Sequence, residues 1–248
     1  MEYFPNPGKK LIKEVQGQKY ARYPIKTHFI ETSDKLEDII EKYVLPKVQN
    51  NSIPGGSISG EREGLKTLFI VLGQKIVSIL QNRVIYKKDI KVGFWARFLA
   101  KFARKTPYGF SVGNPVKMQT AINLAGLPRI LFACFSAGIC KIFRIYGIFY
   151  RVAGNQISQI DGFYNEAFPQ YAEMGILGPI DCDFLCEELK NRYGLSFAVA
   201  DINDLGGNIL GKSKDLENKT KLLIEILKDN PAGQSNQQTP IIIIHPVV

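Results

Sequence analysis

Apolar positions along this chain switch between two periods. Leu36, Ile39, Ile40, Tyr43 and Val44 recur at spacings of three and four, which predicts an amphipathic helix. Thr32, Ser33 and Asp34 offer caps for it, Glu37 is placed for a capping box, and Pro46 ends it. The same spacing predicts helices over 94–105, 115–125, 183–193 and 215–228, with Gly194 just past the end of the third. Short apolar runs at 24–30, 84–86, 150–153, 195–202 and 240–244 predict strands. Segments 68–71 and 75–80 are further apolar elements. The Gly-rich stretch 49–64 and the polar stretch 229–238 read as loops. These elements predict a mixed α/β fold without internal repeats or a long linker.

Two apolar stretches need a separate reading. Ile130 to Ile139 is too short to span a bilayer and reads as a buried element. In FWARFLAKFARK, 94–105, Phe94, Trp95, Phe98, Leu99 and Phe102 share one helical face, with Arg97, Lys101, Arg104 and Lys105 largely on the other. The aromatic stripe reads first as a core contact. A helix lying on a membrane surface is the second reading.

Composition narrows the class. The 248 residues are 45% hydrophobic and 22% charged, enough for a substantial core. A net charge of +9 favours anionic partners, among them nucleotides, polyglutamates, nucleic acid and acidic lipid. Cys134, Cys140, Cys182 and Cys186 form no C-x-x-C pair, His28 and His245 lie far from them in sequence, and no zinc signature results. Cys134 and Cys140 read as core. The start, MEYFPNPGKK, has no apolar leader region, so the expected compartment is the cytoplasm.

Four constellations carry candidate chemistry. In Asp201-Ile202-Asn203-Asp204-Leu205-Gly206-Gly207 a strand meets a glycine loop, and strand alternation puts Asp201 and Asn203 on one side. Such oxygens suit Mg²⁺ or Mn²⁺ against phosphate; a turn hydrogen-bonded to its own backbone explains the pattern equally well. GGNILGKS, 206–213, formally fits a P-loop, but only 35 residues follow it, too few for the sheet such a domain builds afterwards. Lys212 reads as a phosphate contact of another kind or as a solvated loop lysine. GQSNQQTP, 233–240, is an amide-rich loop before a buried strand, suited to ligand recognition or merely polar. Lys75, Ser78, Gln81 and Arg83 add cations for phosphate, Arg83 by a bidentate fork.

Together these segments resemble the F420-0:gamma-glutamyl ligase family, in a bacterial branch. PIKTHFI followed by Ser33-Asp34-Lys35-Leu36 resembles its N-terminal strand and acidic helix start. Gln74-Lys75-Ile76-Val77-Ser78 with Gln81-Asn82-Arg83 resembles its signature. TPYG at 106–109, GLPRIL at 126–131, FYRVAG at 149–154, Ile160-Asp161-Gly162, DINDLG at 201–206, and DNPAGQ with QTP over 229–240 follow in order. The resemblance covers about residues 22 to 244, with 1–21 as an N-terminal extension. It implies a ligase-like α+β fold in an intertwined homodimer. It also implies GTP as co-substrate, Mg²⁺ or Mn²⁺ as cofactor, and L-glutamate joined through its amine to an anionic carboxylate acceptor, a deazaflavin precursor or a folate. No nucleic acid is expected.

By the same resemblance the nucleotide falls on Lys26, Thr27, His28, Lys75, Ser78, Arg83 and Gln238. The metal falls on Asp161 together with Asp201 and Asp204, which the fold is expected to bring into one cleft. No catalytic residue is assigned. Leu65, Gln74, Ile79, Gln81 and Asn82 depart from the usual signature. Those departures open a second functional class, a non-catalytic nucleotide-binding or membrane-surface-binding homologue.

Overall fold

The computed structural model describes residues 5–49, 68–103, 112–163, 169–204, 206–233 and 236–247. Most of the loop expected over 49–64 and the TPYG segment at 106–109 lie outside them. The chain divides into two compact units, one of residues 1–82 and 179–248, the other of residues 83–178.

The first unit is built on a mixed six-stranded sheet. Its strands are β1 (Ile12–Val15), β2 (Gln18–Ile25), β3 (Phe69–Gly73), β7 (Ser196–Asn203), β8 (Gly206–Lys212) and β9 (Ile241–Val247), in the spatial order β1-β2-β9-β3-β7-β8. Only β3 and β7 run parallel; every other pairing is antiparallel. Alternation sorts the side chains onto two faces. One face sets Phe69, Val71, Ala198, Ala200, Ile242 and Ile244 against Leu223, Ile226 and Leu227 of helix α10 (Thr220–Leu227). The other carries Phe197 and Val199, covered by α9 (Cys182–Tyr193), whose Tyr193 ring lies 6.4 Å from that of Phe197. Helix α3 (Gln74–Leu80) packs on β3 and β7. Helices α1 (Leu36–Tyr43) and α2 (Leu45–Gln49) complete the unit.

The second unit holds a small antiparallel sheet, β4 (Val84–Tyr86), β6 (Met174–Ile176) and β5 (Asp161–Gly162) in that order. Its helices are α4 (Phe94–Ala100), α5 (Pro115–Ala125), α6 (Leu127–Ile142), α7 (Ile148–Ala153) and α8 (Asn155–Ser158). They enclose a core of small and branched residues, among them Ala96, Leu99, Ala121, Ile130, Ala133 and Ile157. No single helix among the described residues is long and apolar enough to cross a membrane, and α5 and α6 meet at 116°.

Several local expectations are corrected. The strand expected at 24–30 lies earlier in the chain: β2 runs Gln18–Ile25, and beyond it Thr27 N donates to Gln238 O. Residues 150–153 are helical, so their short apolar run fitted either state. Helix α1 takes no side-chain cap; the Asp34 carboxylate accepts from Glu31 N instead, at 2.8 Å. Pro46 does not end the helical region but sits in the first turn of α2, where a missing N–H does no harm. The helix expected over 215–228 begins as a 3₁₀ segment, Lys214–Lys219. In α6 only Ile130 and Ala133 are buried, and in α4 the buried face is Ala96, Leu99 and Ala100, so Leu99 and Ile130 reach the core as expected while the aromatic rings of both stripes face outward.

Candidate functional site

Sheet topology gathers distant segments. The antiparallel and parallel pairings put the C-terminal ends of β2, β3 and β7 and the start of β9 at one end of the six-stranded sheet. Carboxyl ends of neighbouring parallel strands are a common place for ligands in α/β sheets. Lys26, Thr27 and His28 follow β2, Lys75 and Ser78 follow β3, Asp201 lies near the end of β7 with Asp204 just past it, and Gln238 precedes β9. Backbone bonds join these loops directly. Thr27 N donates to Gln238 O at 3.0 Å, and Gly73 N donates to Pro240 O at 2.8 Å.

The loop between α10 and β9 is held from below. Arg22 is wholly buried, and its Nη1 donates to Ile226 O at 2.8 Å, one of the carbonyls that a helix end leaves without an internal partner. The same guanidinium forks onto Asp229, and Lys13 Nζ reaches Asp229 Oδ1 at 3.0 Å. Burial pushes the Asp229 carboxyl up, but the bonds from Arg22 and Lys13 outweigh it and bring its pKa down to about 2. Next along the chain, Asn230 is buried with a left-handed backbone, φ 52°, which asparagine tolerates better than most residues. Its Nδ2 donates to Asp204 Oδ1 and to Gly233 O, both at 3.1 Å. Asn6 Nδ2 donates to Pro231 O and Thr239 Oγ1, both at 2.8 Å, so the N-terminal segment braces the same loop.

Asp201 and Asn203 extend one face of β7, as alternation requires, and Asp204 follows at its end. Lys9 Nζ bonds Asp204 Oδ1 at 2.7 Å, and this bond, more than the Asn230 amide, holds the Asp204 carboxyl below its usual range. Asp201 and Asn203 offer hard oxygens of the kind Mg²⁺ or Mn²⁺ take, while the Asp204 carboxylate is turned to Lys9 and Asn230. Among the described residues, no three His, Cys, Asp or Glu side chains converge as a metal site.

The remaining expected residues divide. His28 is held by Tyr43 Oη, 2.8 Å from Nδ1, and by Asp34 Oδ2, 3.1 Å from Nε2. Ser78 points inward on α3, fully buried, and its Oγ has no hydrogen-bond partner among the described residues. A cleft of about 230 Å³ lies between the start of α1 and α3, lined by Asp34, Glu37, Val77, Leu80, Gln81 and Leu185. Arg83 and Asp161 belong to the second unit. Arg83 Nε donates to Gly178 O at 2.6 Å, and Asp161 Oδ1 accepts from Gly162 N at 2.8 Å.

The P-loop-like string is structural. Residues 206–212 are strand β8, antiparallel to β7. Lys212 N, which a P-loop would aim at phosphate, donates instead to Asp183 Oδ1 at 2.8 Å. Ser213 is buried, and its Oγ accepts from Phe197 N at 3.2 Å. Gly211 is there for packing, since a Cβ on it would come within 2.3 Å of Cys182 Cβ.

Arg22 and Lys9 were not expected among these residues. Arg22 left a trace, a lone cation within the run YARYPI, and such a residue is buried only when paired. Lys9 left none. No protein-family model matches this chain, and no curated protein matches it.

Proposed function

We propose that the chain is a GTP- and divalent-metal-dependent gamma-glutamyl ligase. The observation that carries the reading is the meeting of four segments with family-like sequence at one end of one sheet: 26–28, 73–78, 201–204 and 229–240. In this reading a carboxylate acceptor takes the γ-phosphoryl group of GTP, forming an acyl phosphate and releasing GDP. The amine of glutamate then attacks the acyl carbon, and phosphate leaves as the amide forms. Asp201, Asn203 and Asp204 would hold Mg²⁺ or Mn²⁺, which offsets charge on the phosphoryl group in flight. Lys26 and Lys75 would face phosphate oxygens, and Gln238 would present an amide to the nucleotide.

The test is direct. Purified protein receives GTP or ATP, Mg²⁺ or Mn²⁺, glutamate, and either the deazaflavin precursor or tetrahydrofolate. Mass spectrometry follows the added glutamate. Product with GTP and metal is the expected result. No product with either acceptor, and no GTP binding, overturns the reading.

One feature favours the second class, nucleotide binding without turnover. Gln81 stands where the signature usually has an acid. It donates from Nε2 to Ile180 O at 2.8 Å and accepts from Ile180 N at 2.9 Å. An ionised acid accepts but cannot donate, so this residue is fitted to its neighbour's backbone. GTP binding with no glutamate transfer would select that class.

A further inference from the structure

The second unit turns large apolar side chains outward. On α6, Phe132, Phe135, Ile139 and Ile142 recur at spacings of three, four and three, forming one stripe, and all are exposed. The opposite side of the helix delivers Ile130 and Ala133 to the core. The stripe runs on into the turn between α6 and α7, where Ile142 and Phe143 are 78% and 70% exposed and Tyr146 is also exposed. Lys141 and Arg144 alternate with these residues, and Arg144 takes a left-handed turn conformation, φ 58°. Helix α7 packs back on α6, so the turn is the tip of a helical hairpin.

Charge follows the same division. Residues 83–178 hold thirteen Lys and Arg against four Asp and Glu, while the rest of the chain holds nineteen of each. The whole surplus of +9 therefore belongs to the second unit. An exposed apolar stripe of this length asks for an occupant, and the charge selects one. A second copy docking by this unit would set two strongly cationic surfaces face to face. Nucleic acid would suit the cations and the rings, but isoleucine side chains offer nothing for bases to stack on. A bilayer with anionic headgroups takes both: phosphates for Lys141 and Arg144, acyl chains for the stripe.

We propose that the second unit docks peripherally on anionic membranes, with α6 lying in the interface and the α6–α7 tip inserted among the headgroups. The helix does not span. Its neighbour α5 is committed to the protein interior through Lys117, Met118, Thr120 and Ala121. This inference is independent of the ligase reading, whose residues at the sheet end lie in the first unit.

The full chain is tested by flotation with phosphatidylcholine vesicles, with and without phosphatidylglycerol. Flotation with the anionic vesicles, falling as salt rises, is expected. Lys141→Glu with Arg144→Glu should reduce binding about tenfold or more, at about 1 kcal/mol per cation removed. Ile142→Ser with Phe143→Ser should abolish it, with the thermal melt unchanged because these side chains are exposed. Equal flotation on neutral vesicles would overturn the proposal, as would binding indifferent to both double variants. So would a dimer in light scattering, or a retained single-stranded oligonucleotide, without vesicle binding. If a double variant unfolds, the lipid and salt dependence of the unaltered chain decides alone.

Discussion

Arg22 and Asp229 form an ion pair in which the arginine is fully buried and the aspartate is partly open to solvent. Removing the arginine leaves the Ile226 carbonyl without its guanidinium donor and the Asp229 carboxylate without its fork, with Lys13 still bonded to it. Arg22→Met should lower stability by about 3 kcal/mol, read as a fall in the urea midpoint. The pair also sets an acid limit. Asp229 has a folded pKa of about 2, below its unfolded value. Its contribution is therefore complete above the unfolded value and is lost as pH falls through the folded one. Urea midpoints from pH 5 to about pH 2 should fall less steeply in Arg22→Met than in the parent chain.

Lys9 sits on the carboxylate oxygen of Asp204, at 2.7 Å, where a divalent cation would place its own charge. If Asp204 is a metal ligand, as proposed, the two cations compete. Lys9→Ala should then raise Mn²⁺ affinity about threefold, the scale of an exposed pair, and Asp204→Asn should lower it. Calorimetric titration of Mn²⁺ in the presence of GTP reads both. Equal affinity in all three proteins would remove Asp204 from the site.

Gly211→Ala should be destabilising by about 2 kcal/mol, the cost of overpacking between two backbones. The added carbon would stand 2.3 Å from Cys182 Cβ and 2.6 Å from Asp183 N, and neither is the free end of a side chain. A thermal melt checks it. A phosphate-binding glycine would instead show normal stability with weakened nucleotide binding.

Burial pushes the Cys182 thiol up to about 11 and the Cys186 thiol to about 12, and nearby carboxylates add to both. Thiolate is the reactive form, so both should resist iodoacetamide at pH 8 in the folded chain. Peptide mapping after denaturation should show them labelled fully.

Trp95 is the single tryptophan, half-exposed in the outward stripe of α4 beside Phe94 and Phe98. Its emission should shift to the blue when anionic vesicles are added and return when salt is raised. An unmoved spectrum during flotation would confine the lipid contact to α6 and its tip.

Strands β7 and β9 were legible because they are continuous apolar runs, whereas β1 (IKEV) and β8 (GGNILGK) are polar or Gly-rich and were not read as strands. LSFAVADI and IIIIH admit little besides buried strands, and both are found as such. The polar ends of these strands pointed to 201–204 and 229–240. What periodicity could not supply was direction. FWARFLA has a clear stripe, but a stripe states only that two faces differ. In α4 the small residues Ala96 and Ala100 went inward with Leu99, where helices approach closely, and the bulky rings stayed outside. Arg22 showed only as a lone cation in an apolar run, and its pairing was illegible for a related reason: its partners, Ile226 and Asp229, lie more than 200 positions away.

Strand β9 lies between β2 and β3 in space but follows both, and β7 and β8, along the chain. During synthesis, then, β1 and β2 wait beside the partly assembled β3, β7 and β8 with nothing to join them. Only when residues 241–247 emerge can the two halves zip together along both edges of the newcomer. The second unit is continuous in sequence and is free to fold well before that moment. A ribosome pausing after residue 240 would thus leave a finished inserted unit carried by an open sheet, with two bare edges ready to pair with any passing strand.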